Sequence, residues 1–257
     1  MLISLLLFPG VVATLLIAGL LAWAMQELPS RQAGASLLRW PGGLFTSLSM
    51  LLMALGAGVA AGLAGWQIGL GWLLIELGAL LPLLPNLATR QTLTVRAAVR
   101  EVQGGLAGRV VIWCALGAAL LAGSEPLALP GRLLLLIAVI LALPAAASLG
   151  PFGPELSLVP DRSDQSLDEG VRALLPYARY TRAAALLGVV AVVMTPATPL
   201  GMIGPLVGAL LLALVLLAIL RWSRVLPRMT LPMQLRWCWW RAMPLALAGL
   251  VYLLVFG

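Results

Sequence analysis

Apolar residues run through this chain in long blocks separated by short gaps. A hydrocarbon layer about 30 Å thick is crossed by a helix of roughly 20 apolar residues. Blocks of that order fall at about 3–26, 45–64, 67–87, 105–123, 132–149, 182–198, 201–220 and 239–256. The pattern predicts an all-α polytopic membrane protein of about eight transmembrane helices with cytoplasmic amphipathic loops, a single membrane domain over 1–257. The gaps near Gly65 and Pro199 are a few uncharged residues long, so the pairs 45–64/67–87 and 182–198/201–220 also fit re-entrant hairpins. The fourth gap, GSEPLALPG, carries Glu125. The fifth, over about 150–181, holds four prolines and five acids, too polar to span and suited to a short amphipathic structure at the interface. The first block lacks a basic leader and a small-residue cleavage site, so it reads as a retained span rather than a signal peptide.

The gaps differ in charge. All 16 basic residues are arginine, and 14 of them lie in or beside the gaps at about 27–44, 88–104, 150–181 and 221–241. Arg109 and Arg132 are the exceptions. Arginine confined to every second gap orients a multi-spanning protein, because short basic loops remain cytoplasmic. The expected location is a bacterial-type cytoplasmic membrane, with both termini outside.

Composition agrees with that picture. The chain is 62% hydrophobic and 10% charged, against about 25% charged for soluble proteins. A net charge of +7 in a soluble chain would suggest nucleic acid. Here the arginines hug membrane ends, where anionic headgroups and topology account for them, and no nucleic-acid motif is present. The chain has no histidine, and Cys114 and Cys238 are isolated. Zinc, haem and iron–sulfur centres need clustered ligands, so no metal site or cofactor is expected in this chain itself. Gly and Ala crowd the second block (ALGAGVAAGLAG), which favours close helix contact in a membrane, although a Gly/Ala-rich genome would give the same composition.

Ionisable residues within spans are functional candidates by default, given their insertion cost of about 2.5–3.5 kcal/mol. Glu76 lies near the middle of the third block and is a proton-relay candidate, or a neutral carboxyl bonded to a neighbouring helix. Arg96 and Arg100, four apart on one helical face, can meet an acidic partner jointly. In the fifth gap, Glu155, Asp161, Asp164, Asp168 and Glu169 stand against Arg162, Arg172, Arg179 and Arg182, as a relay or as a solvated charge run.

Four arginine-bearing segments carry a family likeness. The last loop and span, RWSRVLPRMTLPMQLRWCWWRAMPLALAGLVY, resembles the end of the subunit 1 family of respiratory complex I (NADH–quinone oxidoreductase), at Arg224, Pro227, Arg228, Leu235, Trp239 or Trp240, Arg241 and Pro244. That family includes membrane subunits of energy-converting hydrogenases and formate hydrogenlyase. Gln26-Glu27 through Arg31 to Gly34 is similar to the family's first loop, and Arg96-Ala97-Ala98 matches its step before the fourth span. Pro151, Phe152, Glu155, Gly170 and Tyr177 match its long acidic loop.

The resemblance implies an integral membrane subunit that is non-catalytic by itself, anchors a soluble electron-transfer arm, and couples redox chemistry to proton or sodium movement. It implies proton carriers at Glu76, Glu101, Glu155, Asp168 and Glu169, and soluble-arm docking by Arg31, Arg96, Arg100, Arg224, Arg228 and Arg241. Cofactors would sit in partner subunits: iron–sulfur clusters, with nickel–iron or quinone in some members. Partners would be complex I- or hydrogenase-like soluble subunits and antiporter-like membrane subunits, besides the bilayer. The family's Glu-rich cluster is reduced here to Glu155, with other acids displaced to 161–169. That departure points to a hydrogenase-type or divergent member and away from standard quinone binding. A stand-alone secondary transporter is the alternative; its inverted repeats are not evident, since Pro82, Pro144 and Pro205 do not pair symmetrically.

Overall fold

The computed structural model describes residues 6–25, 42–62, 65–88, 92–121, 128–153, 169–195, 203–223 and 228–256. Among these residues every regular element is helical and none is a strand. Among the described residues, seven helices are long and apolar enough to cross a membrane. The architecture is that of an all-α, multi-pass membrane protein.

The elements are α1 (Val11–Ala24), α2 (Gly42–Ala60), α3 (Gly65–Leu80) with a 3₁₀ turn (Leu81–Leu83) and α4 (Leu84–Ala88), α5 (Thr92–Leu121), and α6 (Leu129–Ala146) with a 3₁₀ turn (Gly150–Phe152). After them come α7 (Glu169–Met194), α8 (Ile203–Ser223), α9 (Leu231–Trp237), a π-helical turn (Cys238–Ala242) and α10 (Met243–Phe256). Three continuous helical runs begin well before the apolar blocks they contain: α5 at Thr92 rather than 105, α7 at Glu169 rather than 182, and the run through α9, the π turn and α10 at Leu231 rather than 239. An apolar run registers lipid depth, whereas a helix continues for as long as its N–H and C=O groups find each other. At 1.5 Å per residue the 30-residue α5 is about 45 Å long, longer than the hydrocarbon layer.

Two compact units divide the chain, one of residues 1–102 and 154–189, the other of 103–153 and 190–257. The boundaries fall inside α5 and α7, so each of those helices contributes to both units.

In the first unit, α2 and α3 pack antiparallel along glycines. A methyl group on Gly71 would come within 2.6 Å of the Gly56 carbonyl oxygen and of the Ala60 Cβ, and one on Gly78 within 2.9 Å of the Ser49 carbonyl oxygen. The small residues let the backbones approach closely, the dispersion-driven mode of association in lipid. α1 lies antiparallel to α7: Pro9 sits against Gly188, and the Tyr177 hydroxyl, beside Gly19, donates to the Leu15 carbonyl at 3.1 Å.

In the second unit, α6 packs antiparallel to α10, with Gly131 against Leu253 and Gly249 against Leu135. α6 ends in a Schellman arrangement: Leu149 N–H bonds the Pro144 carbonyl and Ser148 N–H the Ala145 carbonyl. Ser148 takes the left-handed conformation (φ 55°) that glycine usually fills. Burial separates the helices by role: 78% of the Leu174–Met194 stretch is enclosed by protein, against 22% of Ile203–Ser223 and of Leu231–Phe256. The latter two present leucine and valine outward, as lipid-facing helices do.

Candidate functional site

Within the first unit, charge enters the helix interior at three points. Glu101 on α5 and Arg179 on α7 form a two-pronged ion pair, Nε to Oε1 and Nη2 to Oε2, each 3.0 Å. The side chains are 6% and 16% exposed. Glu101 stands nine residues after the start of α5 and Arg179 ten after the start of α7, so each charge is carried inward to nearly the same distance along its helix.

One turn on, Arg182 is 2% exposed and donates from Nη2 to the Ala79 carbonyl at 3.0 Å. That carbonyl belongs to a broken helix. Pro82 has no N–H, so the Gly78 oxygen loses its donor four residues ahead. The following 3₁₀ turn pairs residues three apart and so releases Ala79. Ser49 Oγ answers Gly78 at 2.6 Å and Arg182 answers Ala79. A guanidinium at the carbonyl end of α3 also meets the negative end of its dipole.

Glu76 lies one turn before this break, half-buried on α3 and engaged with neighbouring groups. A carboxylate held at both oxygens by a guanidinium has no proton to hand on.

In the second unit, Arg109 is 2% exposed and donates from Nη1 to the Ala146 carbonyl at 3.3 Å, again a cation at a helix C-terminus. Gly105 and Gly108 make room for it: a methyl on Gly105 would come within 2.8 Å of the Arg109 guanidinium, and one on Gly108 within 2.5 Å of the Ala146 nitrogen. Trp237 is anchored by its indole N–H, 2.9 Å from the Leu141 carbonyl, and meets Phe152 edge-on at 5.9 Å. Arg241 lies over the Trp237 ring at 4.6 Å.

Of the residues expected from sequence, Arg31, Glu155, Asp168 and Arg224 lie outside the described residues, and Glu169 is described only as the first residue of α7. Arg96, Arg228 and Arg241 are exposed and Arg100 is half-buried. Sequence reading put Arg179 and Arg182 among the loop charges. It gave no sign that Arg179 pairs with Glu101, 78 residues away. Among the described residues, no group of three or more His, Cys, Asp or Glu side chains could hold a metal ion. Scanned against protein-family models and curated proteins, the chain matches none of either.

Proposed function

We propose that this chain is an integral membrane subunit of a complex I-like or hydrogenase-like redox complex. In this reading it anchors a soluble electron-transfer arm and couples electron transfer to the movement of protons or sodium ions. The observation that carries the proposal is the enclosed Glu101–Arg179 pair, joined by Arg182 one turn on. Charges inside an apolar helix bundle are costly and mark ion pathways by default. The pair also joins two helices that both start from arginine-rich segments, and those segments carry the family likeness. The arginine-rich loops face the cytoplasm, both termini lie outside, and the exposed Arg96 and Arg228 with Arg100 lie on the docking face. Electron transfer belongs to iron–sulfur and other centres of the partner subunits; this chain contributes charge placement and, through Glu76 and Glu101, proton carriers. Purification of the tagged chain from its own membranes, followed by proton uptake in inverted vesicles, tests the reading. Iron–sulfur subunits are expected to copurify, and Glu76→Gln and Glu101→Gln to lower ion uptake relative to electron flow. A chain recovered alone and active in transport overturns it.

That second outcome defines the transporter reading, which has one observation in its favour. The α3 break at Leu81–Leu83, with side chains from other helices on its released carbonyls, is the kind of interrupted helix that lines substrate sites in secondary transporters.

A further inference from the structure

Three consecutive residues of one tight turn hold three arginine-bearing segments in place. Gly150 (φ 59°) lies against the end of α8, where a methyl group would come within 2.9 Å of Ser223 Oγ. The Pro151 carbonyl accepts the Met229 N–H at 2.8 Å. Phe152 packs edge-on against Trp237. Arg221, Arg228, Arg236 and Arg241 belong to those segments, and all four are exposed. Arg241 is held over an indole that is itself tied to Leu141, so an exposed guanidinium is presented from a fixed platform. No acidic residue follows Glu169 anywhere in the chain.

The surroundings identify the partner. Trp222, Trp239 and Trp240 are 82%, 47% and 78% exposed, and indole rings concentrate where acyl chains meet headgroups. Directly after Arg241 the chain is uncharged to its last residue, and Leu247, Val251 and Leu254 stand out from α10. Arg236 and Arg241 thus sit where a polar segment turns into a lipid-facing helix. We propose that this corner binds the phosphate headgroup of an anionic phospholipid, with Arg236 and Arg241 on the phosphate and Trp239 and Trp240 at the acyl border. A soluble acidic protein surface would match the charge but not the exposed indoles and aliphatic side chains that continue it. The proposal rests on the membrane-spanning architecture and not on the redox reading, and it gives Arg241 a lipid contact in place of soluble-arm docking.

The test titrates the full-length chain in neutral detergent micelles with phosphatidylglycerol or phosphatidylcholine while the thermal midpoint is followed. Phosphatidylglycerol is expected to raise the midpoint saturably and phosphatidylcholine to leave it unmoved. Arg236→Gln and Arg241→Gln are each expected to raise the phosphatidylglycerol concentration for half effect about fivefold, with Arg241→Lys retaining more than Arg241→Gln. If Arg241→Gln does not fold, Arg236→Gln, whose side chain makes no such stacking contact, carries the comparison. Equal responses to the two lipids overturn the proposal, as does a wild-type response from the double variant. So does a soluble polyglutamate that reproduces the rise and blocks phosphatidylglycerol, which would assign the corner to an acidic protein.

Discussion

Replacing Arg179 with Gln leaves the Glu101 carboxylate, 6% exposed, facing an amide; replacing Glu101 with Gln leaves the Arg179 guanidinium, on a side chain 16% exposed, facing one instead. The two changes are not equivalent. A carboxyl can shed its charge by taking up a proton, while a guanidinium keeps its charge at any ordinary pH. Removing one member of a buried pair costs about 3–5 kcal/mol, chiefly because the survivor is left charged and poorly solvated. With both oxygens of Glu101 engaged at 3.0 Å, that range applies rather than the roughly 0.2–1 kcal/mol of exposed pairs. Glu101→Gln is therefore expected to cost the most and Arg179→Gln somewhat less. The double variant, which holds two neutral amides, is expected to recover about 2–3 kcal/mol relative to the sum of the singles. Unfolding of the full-length chain in mixed micelles by increasing mole fraction of sodium dodecyl sulfate measures all four members of the cycle. Singles costing under about 1 kcal/mol, or strictly additive costs, would refute the reasoning and make the pair an ornament of the surface.

The broken helix makes a rescue experiment possible. Ser49→Ala should cost about 1–3 kcal/mol by stranding the Gly78 carbonyl, and Pro82→Ala in the same chain should return most of it by restoring a backbone donor; no recovery would contradict the role given to Pro82. At the end of α6, Ser148→Gly is expected to be more stable than Ser148→Ala by about 1 kcal/mol in the same unfolding assay, because only glycine escapes the left-handed penalty. Gly71→Ala should destabilise by about 1–3 kcal/mol although alanine is the better helix former, since its methyl meets backbone at Gly56. A stabilised Gly71→Ala would mean the α2–α3 contact is looser than described.

The helices were legible because their strongest signal, an apolar run as long as a bilayer is thick, is local and needs no partner. Their starts were not. The turns around Arg96 and Glu101, or Arg172 and Arg179, are polar enough to read as loop, yet the same backbone ladder carries helix straight through them. The charged pair was still less accessible. Glu101 and Arg179 each look like ordinary interface charges until both helix starts are fixed, and only then does their matched distance along α5 and α7 stand out. Arg109 carries a fainter local mark in the preceding Gly105 and Gly108, which are the space its guanidinium and the end of α6 require. Pro82 was visible as a helix breaker, but Ser49 and Arg182 as the groups that answer it were not, because the freed carbonyls say only that some donor must come.

The π turn at Cys238–Ala242 has a consequence for the phase of the last helix. The Met243 N–H reaches back to the Cys238 carbonyl, so one residue more than usual is wound into that turn. Each residue of an ordinary α-helix advances about 100° around the axis, and the extra one shifts the angular bookkeeping between α9 and α10 by a step of that size. A single wheel drawn through residues 231–256 therefore misaligns one half or the other. Drawn as two wheels with a slip between them, Trp237 is free to turn toward Phe152 while Leu253 turns toward Gly131, two orientations set independently by one continuous rod.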